Sequence, residues 1–375
     1  MNGIIVSFII IILTLIILYF INKRKNKYQK LSEYSFNNTP IKILKEEDHV
    51  TCFLFLKNGD FLTGQMNGMI SLYQKDFKFL ALIIEHCEPI TSLSELNDGT
   101  ILTSSAEGIL KKIKLLTNDN DNDDNSRKNK YLVEFVFDKN REFIFKSIQI
   151  KNSDDILSSN IAKELILWKK TQNEDELYKF NKILLKNEYI RDIFQINENI
   201  FITSGESLQC WDIKNYESIK KLNYESKGNN SIYKLSQVFT GIFLKNYGDI
   251  LIFNNKDLIG EKIINLSKFS LTSLKLLTNN TILVGIFDEK DKKSFINQYI
   301  LEINKEKIKD EKGKINMIKI KEEKINFTGD DFYFNEFNWS RINTIDEIDN
   351  LVFLGIGGQE KTRNFGKLMI FQKNI

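Results

Sequence analysis

Histidine, cysteine and proline are scarce in this chain of 375 residues, which contains two, three and two of them. The two histidines, His49 and His86, leave little supply for acid–base catalysis or for a histidine metal site. The three cysteines are widely spaced and include no Cys-X-X-Cys pair, so they give neither a disulfide framework nor a zinc motif. The composition therefore predicts no catalytic residue, no metal and no cofactor, and it favours a binding protein over an enzyme.

An excess of charge of one sign is also lacking. Lys and Arg number 53 against 50 Asp and Glu, which leaves a formal charge of +3. The lysine-rich run at 304–324 mixes both signs, and the Asp/Asn-rich stretch at 117–130 lacks the turn glycine and the closing glutamate of a calcium loop. We expect no nucleic-acid partner, and both runs are interpreted as solvated insertions.

One long apolar run lies near the N-terminus, from Ile4 to Ile21, and carries no charge. At ~1.5 Å per residue a helix of this length reaches ~27 Å, close to a thin bilayer core. The run lacks the basic start and the small-residue cleavage site of a signal peptide. We predict a retained transmembrane anchor at 1–21. A buried core helix is the alternative, although the run has no polar face to present to water.

Basic residues follow the apolar run within a polar linker at 22–40, and none precedes it. The positive-inside tendency predicts a single pass with the N-terminus outside and the large C-terminal part in the cytosol, and we favour an endomembrane such as the endoplasmic reticulum over the plasma membrane. Six Asn-X-Ser/Thr sequons would suit the opposite, lumenal orientation, but an Asn-rich chain produces many by chance. The flanking residues are Lys23, Arg24, Lys25 and Lys27.

From residue 41 onward the chain consists of short apolar runs separated by Asn, Asp, Gly and Lys clusters, a pattern typical of antiparallel strands. A unit of four short strands at about 40 residues is the period of a β-propeller blade. The pattern predicts an all-β, seven-bladed propeller over 41–375, or eight blades if an insertion hides one. The units open at Val50, Ile90, Phe145, Ile190, Ile232, Leu271 and Ile342.

The last unit reaches the C-terminus after its third strand. The strand-like run that begins at Pro40 is the only one without a unit. We predict that a strand at 41–44 completes the seventh blade and closes the ring, which removes an exposed sheet edge.

The stretches at 85–115 and 189–213 resemble a WD-repeat of the β-propeller superfamily. In WD-repeats a His before the first strand, a Ser or Thr on the second, a Trp on the third and a turn Asp form a buried hydrogen-bonded set. The resemblance implies those roles for His86, Ser104, Trp168, Trp211 and Asp212. The set is degenerate, because Glu107 stands where the Asp of the His86 unit belongs. Four units keep a hydroxyl thirteen residues after their opening, at Thr63, Thr103, Ser158 and Thr203.

The densest aromatic cluster precedes the seventh unit. We expect it to pack in the blade core or against the insertion, with an interaction patch on one face of the propeller as the alternative. The cluster consists of Phe332, Tyr333, Phe334, Phe337 and Trp339.

These features favour a membrane-tethered scaffold that presents a cytosolic propeller to partner proteins. One alternative is an exchange-factor-like, membrane-bound regulator of a small GTPase in the secretory pathway, which needs an ordered polar insertion on one face. A second alternative is a lumenal propeller hydrolase, which needs clustered carboxylates near the central channel.

Overall fold

The structure is a computed structural model that describes most of the chain from residue 40 onward. Besides Tyr19 and Lys290, the described ranges are 40–116, 131–137, 142–151, 153–171, 177–186, 188–223, 232–234, 239–243, 249–254, 260–277, 281–288, 293–303, 315–324, 337–360 and 363–373.

The described strands form seven antiparallel sheets of four strands each. In the first six sheets, the strands follow one another in chain order. The first sheet contains β2 (Val50–Phe55), β3 (Phe61–Gln65), β4 (Met69–Tyr73) and β5 (Phe79–Ile84); the second contains β6 (Ile90–Glu95), β7 (Ile101–Ser105), β8 (Leu110–Leu115) and β9 (Tyr131–Phe137); the third contains β10 (Ile144–Gln149), β11 (Ile156–Asn160), β12 (Glu164–Lys170) and β13 (Tyr178–Lys186); the fourth contains β14 (Ile190–Gln195), β15 (Ile200–Gly205), β16 (Ser207–Asp212) and β17 (Ser218–Asn223).

The last sheet differs because its outer strand comes from the N-terminal end of the described chain. The fifth sheet contains β18 (Ile232–Lys234), β19 (Phe239–Phe243), β20 (Asp249–Asn254) and β21 (Gly260–Asn265); the sixth contains β22 (Ser270–Leu276), β23 (Thr281–Asp288), β24 (Lys293–Ile303) and β25 (Ile315–Lys324); the seventh contains β26 (Phe337–Ile348), β27 (Leu351–Glu360), β28 (Arg363–Gln372) and β1 (Lys42–Glu46).

The sheets stack side by side into a closed ring. Each first strand contacts the first strand of the next sheet, and β26 of the seventh sheet contacts β2 of the first. A separate cluster of buried apolar side chains fills each junction between neighbouring sheets. Six sheets are described with side chains on most of their first three strands, whereas the fifth sheet is placed mainly by its backbone. The predicted all-β propeller architecture is confirmed.

Second strands are the most deeply buried elements, because sheets cover both of their faces. Every residue of β3, β7 and β11 is buried. Outer strands such as β5 bury a single face and leave the other exposed. Burial therefore follows the position of a strand in its sheet rather than its apolar content, since β5 (FLALII) is an outer strand whereas β7 (ILTSS) is fully buried.

The ring has two distinct faces. The upper face is defined by the loops that lead into the first strands. There, in each of the first four sheets, the turn between the second and third strands donates an N–H to the preceding loop. Met66 bonds the carbonyl of His49, Ala106 that of Pro89, Ile161 that of Phe143 and Glu206 that of Tyr189. The lower face carries the turns between first and second strands, where Gly59 and Gly99 adopt positive φ of 90° and 80°, as their Asn-Gly and Asp-Gly pairs favour.

Strand β1 pairs antiparallel with β28, from Lys42 opposite Ile370 to Glu46 opposite Gly366. The strand placed by sequence at 41–44 is thus observed slightly later in the chain. Lys42, the first residue of β1, pairs with Ile370, and Ile370 pairs with Phe353, close to the lower-face turn at 349–350. Strand β1 therefore begins on the lower face and ends on the upper face.

Three parts of the sequence interpretation need correction. Residues 315–324 are not part of an insertion, because they form β25 and pair with β24; residues 304–314 lie outside the described residues, as does the insertion at 117–130. The run IFLKNY that begins at Ile242 is predicted as the second strand of the fifth unit, whereas that strand is Phe239–Phe243 in the structure. The third unit opens at Ile144 rather than Phe145.

In the part of the chain that the structure describes, no helix combines the length and the apolar character needed to cross a membrane. The predicted anchor at 1–21, apart from Tyr19, lies outside that part. The linker residues Lys23, Arg24, Lys25 and Lys27 lie outside it as well.

Candidate functional site

The tryptophans identified by the WD-repeat resemblance form the expected bonds to second-strand hydroxyls. Trp168 donates its indole N–H to Ser158 Oγ at 2.9 Å, and Trp211 donates to Thr203 Oγ1 at 3.0 Å. Both indoles are buried, and Trp211 stacks on Phe201 with the ring centroids 5.8 Å apart. These contacts lie inside the blades, so their role is structural.

His86 completes a variant of the same network in the second sheet. Its Nδ1 lies 2.5 Å from a Glu107 carboxylate oxygen, and its Nε2 lies 2.8 Å from Thr103 Oγ1. Because a carboxylate only accepts hydrogen bonds, Nδ1 carries the proton. Glu107 therefore replaces the usual turn Asp. The hydroxyl partner is Thr103 and not Ser104, whose Oγ lies 3.2 Å from Thr91 Oγ1.

Asp212 is a turn residue rather than part of a histidine network. Its Oδ1 accepts the backbone N–H of Lys214 at 2.7 Å and that of Asn215 at 3.3 Å. These bonds shape the turn that follows β16.

We expect the His86 network to weaken as the pH falls. Burial lowers the pKa of His86, against the opposing effect of Glu107. Below the ordinary histidine pKa of about 6.5, the unfolded chain therefore binds more protons than the folded chain, and acidification destabilises the fold. The free energy of unfolding in urea should be measured for wild type and for His86→Gln. The wild-type value minus the variant value should decrease as the pH is lowered from about 7.5 to about 5.5. A difference that is constant or grows on acidification would contradict this assignment.

A repeated irregularity shapes the mouth of the ring on the upper face. Six of the seven first strands carry a β-bulge directly after the residue that opens the unit. A bulge turns one side chain away from the regular alternation of the strand. The bulged residues are Thr51, Thr91, Phe145, Arg191, Thr272 and Asn343.

Two neighbouring bulge positions bring together an aromatic ring and a guanidinium. The Arg191 guanidinium carbon lies 4.1 Å from the ring centroid of Phe145 and 5.6 Å from that of Tyr189. Phe143 packs against Phe145 at 5.0 Å, and Lys163 Nζ lies 4.3 Å above the Tyr189 ring. We call these five residues the aromatic–arginine cluster.

The cluster is half-open to solvent. Arg191 is exposed, while Phe143, Phe145 and Tyr189 are half-buried. Partial burial lowers the pKa of Arg191, since the charged form loses hydration against the rings. The side chain of Ile161, on the adjoining turn, is 43% exposed and adds apolar surface to the cluster.

The three-dimensional arrangement is shared with known structures, whereas no family model and no curated protein matches the sequence. The β-propeller domain of Myceliophteria thermophila Cps50 (Swd1) superposes with a TM-score of 0.59 at 12% identity, covering 88% of this chain and 99% of that one. The WD40 repeats of RRP9 give 0.64 at 10% identity, covering 90% and 99%. U3-55K gives 0.62 at 10% identity, covering 88% and 99%.

This chain has the WD40 β-propeller fold. At such low identity the likeness concerns the fold alone, so the function must be argued from the residues on the surface of this WD40 propeller.

The aromatic residues at 332–339, the alternative interaction patch, are not tested by the described side chains and are distinct from the aromatic–arginine cluster. Phe332, Tyr333 and Phe334 lie outside the described residues, while Phe337 and Trp339 are placed in β26 by their backbone only. The aromatic–arginine cluster was missed because the third unit was opened one residue late. With the opening at Ile144, Phe145 and Arg191 occupy equivalent positions of neighbouring sheets. An alignment of the seven openings in that register shows Phe145, Arg191 and Tyr233 where Thr or Asn stands in the other four units.

Proposed function

We propose that the chain is a membrane-tethered scaffold whose WD40 propeller binds partner proteins through its upper face. The aromatic–arginine cluster carries this proposal, because aromatic and arginine side chains are enriched where proteins bind one another. Phe145 and Arg191 also replace the small polar residues of the other described bulges, and departures from a local rule are common at functional sites.

The position of β1 supports a consistent geometry for tethering. Strand β1 begins on the lower face, so a linker at 22–40 would approach the ring from that side. An anchor at 1–21 would therefore hold the lower face nearer the membrane and leave the upper face directed away from it. Confinement to a membrane raises the effective concentration of partners in the same membrane. The proposal includes a seven-bladed ring, a retained anchor and the cytosolic orientation inferred from Lys23, Arg24, Lys25 and Lys27.

The proposed orientation predicts that Asn265 carries no glycan. Asn265 belongs to an Asn-Leu-Ser sequon and is exposed at the end of β21, so a lumenal propeller would present it to the glycosylation machinery. Expressed full-length protein should show no endoglycosidase-sensitive shift, and Asn265→Gln should migrate like wild type. Protease added to sealed vesicles should digest the propeller. A glycosidase-sensitive shift that Asn265→Gln reduces would place the propeller in the lumen and overturn the tethering model.

Proximity labelling tests the scaffold itself. A biotin ligase fused to the C-terminus of the full chain should label a recurrent set of cytosolic proteins. Arg191→Glu should deplete part of that set, while Lys179→Glu on the outer strand β13 should not. Recovery of lumenal proteins alone, or equal recovery from both variants and wild type, would contradict a scaffold that uses the upper face. Recurrent, Arg191-dependent labelling of one small GTPase would instead favour the regulator alternative.

A further inference from the structure

We propose that the aromatic–arginine cluster recognises a glutamate or aspartate side chain within an acidic, partly apolar segment of a partner protein. This inference rests on the proposed scaffold function and adds the chemistry of the segment that the scaffold binds.

At two of the four bulge positions outside the cluster a polar side chain bonds to the next sheet, whereas Thr91 bonds Ser104 within its own sheet. Thr51 donates its hydroxyl to the carbonyl of Ile90 in the next sheet at 2.6 Å, and Asn343 donates its amide to the carbonyl of Val50 at 2.9 Å. Those side chains hold one sheet to the next. Phe145 and Arg191 make no such bond in the described part of the chain, so their residue types are not explained by sheet-to-sheet bonding.

The guanidinium of Arg191 has N–H donors that make no hydrogen bond to the described residues. No carboxylate of the described residues lies within ion-pair distance of its guanidinium, and its described partners are the faces of Phe145 and Tyr189. Ring contacts leave the planar edge of a guanidinium free, and that edge matches the two oxygens of a carboxylate. The two rings also restrict the side chain, which reduces the entropy lost when a ligand binds.

Nearby acidic residues are already engaged with other cations. Glu206 pairs with Lys163 at 3.1 Å, Glu188 pairs with Lys221, and Asp192 pairs with Lys146 at 4.0 Å. A carboxylate supplied by another protein would therefore meet a single uncompensated cation.

The same balance of charge favours a protein segment over nucleic acid, phosphate or lipid. A phosphate ester carries nearly two negative charges, and phosphate sites usually combine several cations. Here the second cation, Lys163, is already paired. The half-buried rings and exposed Ile161 offer apolar contact to residues flanking the acidic one. In the proposed tethering geometry, the cluster also points away from lipid headgroups.

A peptide-binding experiment on the full chain in phosphatidylcholine nanodiscs tests the inference. Fluorescein-labelled octapeptides with a central Glu and varied apolar flanks are screened, and the best is measured by fluorescence anisotropy at about 0.15 M salt. Replacing the peptide Glu by Gln should weaken binding about tenfold or more, because a charge-assisted bidentate pair is lost. Arg191→Gln should have a similar effect, and Arg191→Lys should lose about fivefold because Lys lacks the planar fork.

Controls make each outcome decisive. Lys179→Gln removes an exposed lysine of the outer strand β13 and should leave binding unchanged, and circular dichroism should show all variants folded. Failure of every acidic peptide to bind below about 1 mM would overturn the inference, as would equal weakening by Lys179→Gln. A phosphoserine peptide that binds more tightly than the Glu peptide, with the same dependence on Arg191, would assign the site to phosphate instead.

The outcome is separable from that of the proposed function. Recurrent partners in cells combined with no acidic-peptide binding would leave the scaffold standing and remove this recognition chemistry. Arg191-dependent peptide binding without recurrent cellular partners would leave the site standing and remove the scaffold.

Discussion

Glu46→Ala is expected to lower the free energy of unfolding by roughly 3–5 kcal/mol, the cost of removing one partner from a buried, charged hydrogen-bond network. Glu46 lies on β1 and is only 9% exposed. Its Oε1 accepts hydrogen bonds from Thr63 at 2.7 Å and Tyr73 at 3.0 Å, and its Oε2 accepts from Gln65 and Ser71, each at 2.8 Å. All four partners belong to the first sheet.

The large effect follows from the number of donors that would lose their acceptor. Burial raises the pKa of Glu46, and hydrogen bonds from Thr63, Ser71 and Tyr73 oppose that rise. Alanine would leave four buried polar groups without this partner at the junction that closes the ring. Urea denaturation followed by tryptophan fluorescence at about pH 7.5 measures the change.

Two further variants separate charge from shape. Glu46→Gln keeps the shape but places an NH₂ group where an oxygen now accepts from Gln65, so it should also destabilise. Glu47→Gln, at the exposed neighbouring position, should change the free energy by less than about 0.5 kcal/mol. If Glu46→Ala cost no more than Glu47→Gln, the carboxylate could not be what joins β1 to the first sheet.

Gly205→Ala should impair both stability and the aromatic–arginine cluster. A Cβ at Gly205 would lie 1.7 Å from the backbone oxygen of Tyr189, so the backbone of Tyr189 must move. We expect a loss of about 2–3 kcal/mol in the free energy of unfolding, as for an overpacked core. Displacement of Tyr189 should also weaken binding of the acidic peptide to Arg191.

Gly99→Ala is the matched control for this variant. No atom lies within 4 Å of a Cβ built at Gly99, so the cost there comes from its φ of 80° alone and should be about 1 kcal/mol. Peptide binding should be unchanged, because Gly99 lies on the lower face. Equal destabilisation by the two variants would show that the approach of Gly205 to Tyr189 does not restrict the fold.

The sequence predicts the fold well because strand periodicity repeats along the chain, but it places some details wrongly. Phe143, Ile144 and Phe145 are consecutive apolar residues, so hydrophobicity alone cannot decide which one opens the third unit. The bulge decides it, since Ile144 pairs with Asn160 while Lys146 pairs with Ser159. That one-residue difference concealed the equivalence of Phe145 and Arg191.

The remaining errors also have physical causes. Strand β25 was assigned to an insertion because an outer strand buries little and tolerates alternating lysines and glutamates. The predicted closing strand at 41–44 stops short of Glu46, and burial of the Glu46 carboxylate depends on polar side chains contributed by a different sheet. Partners that meet through tertiary structure leave no local signal in the sequence.

Closure of the ring by β1 also determines the order in which parts of the protein can fold during synthesis. His49, just after β1, bonds the carbonyl of Gly358 in the last sheet, and 309 residues separate the two. At ribosomal rates, roughly 15–60 s pass between their synthesis. During that interval β1 has no partner strand, so the first-made segment must stay soluble while the other sheets form. Closure of the ring must therefore wait for β28, and nascent chains should depend on chaperones until that strand leaves the ribosome.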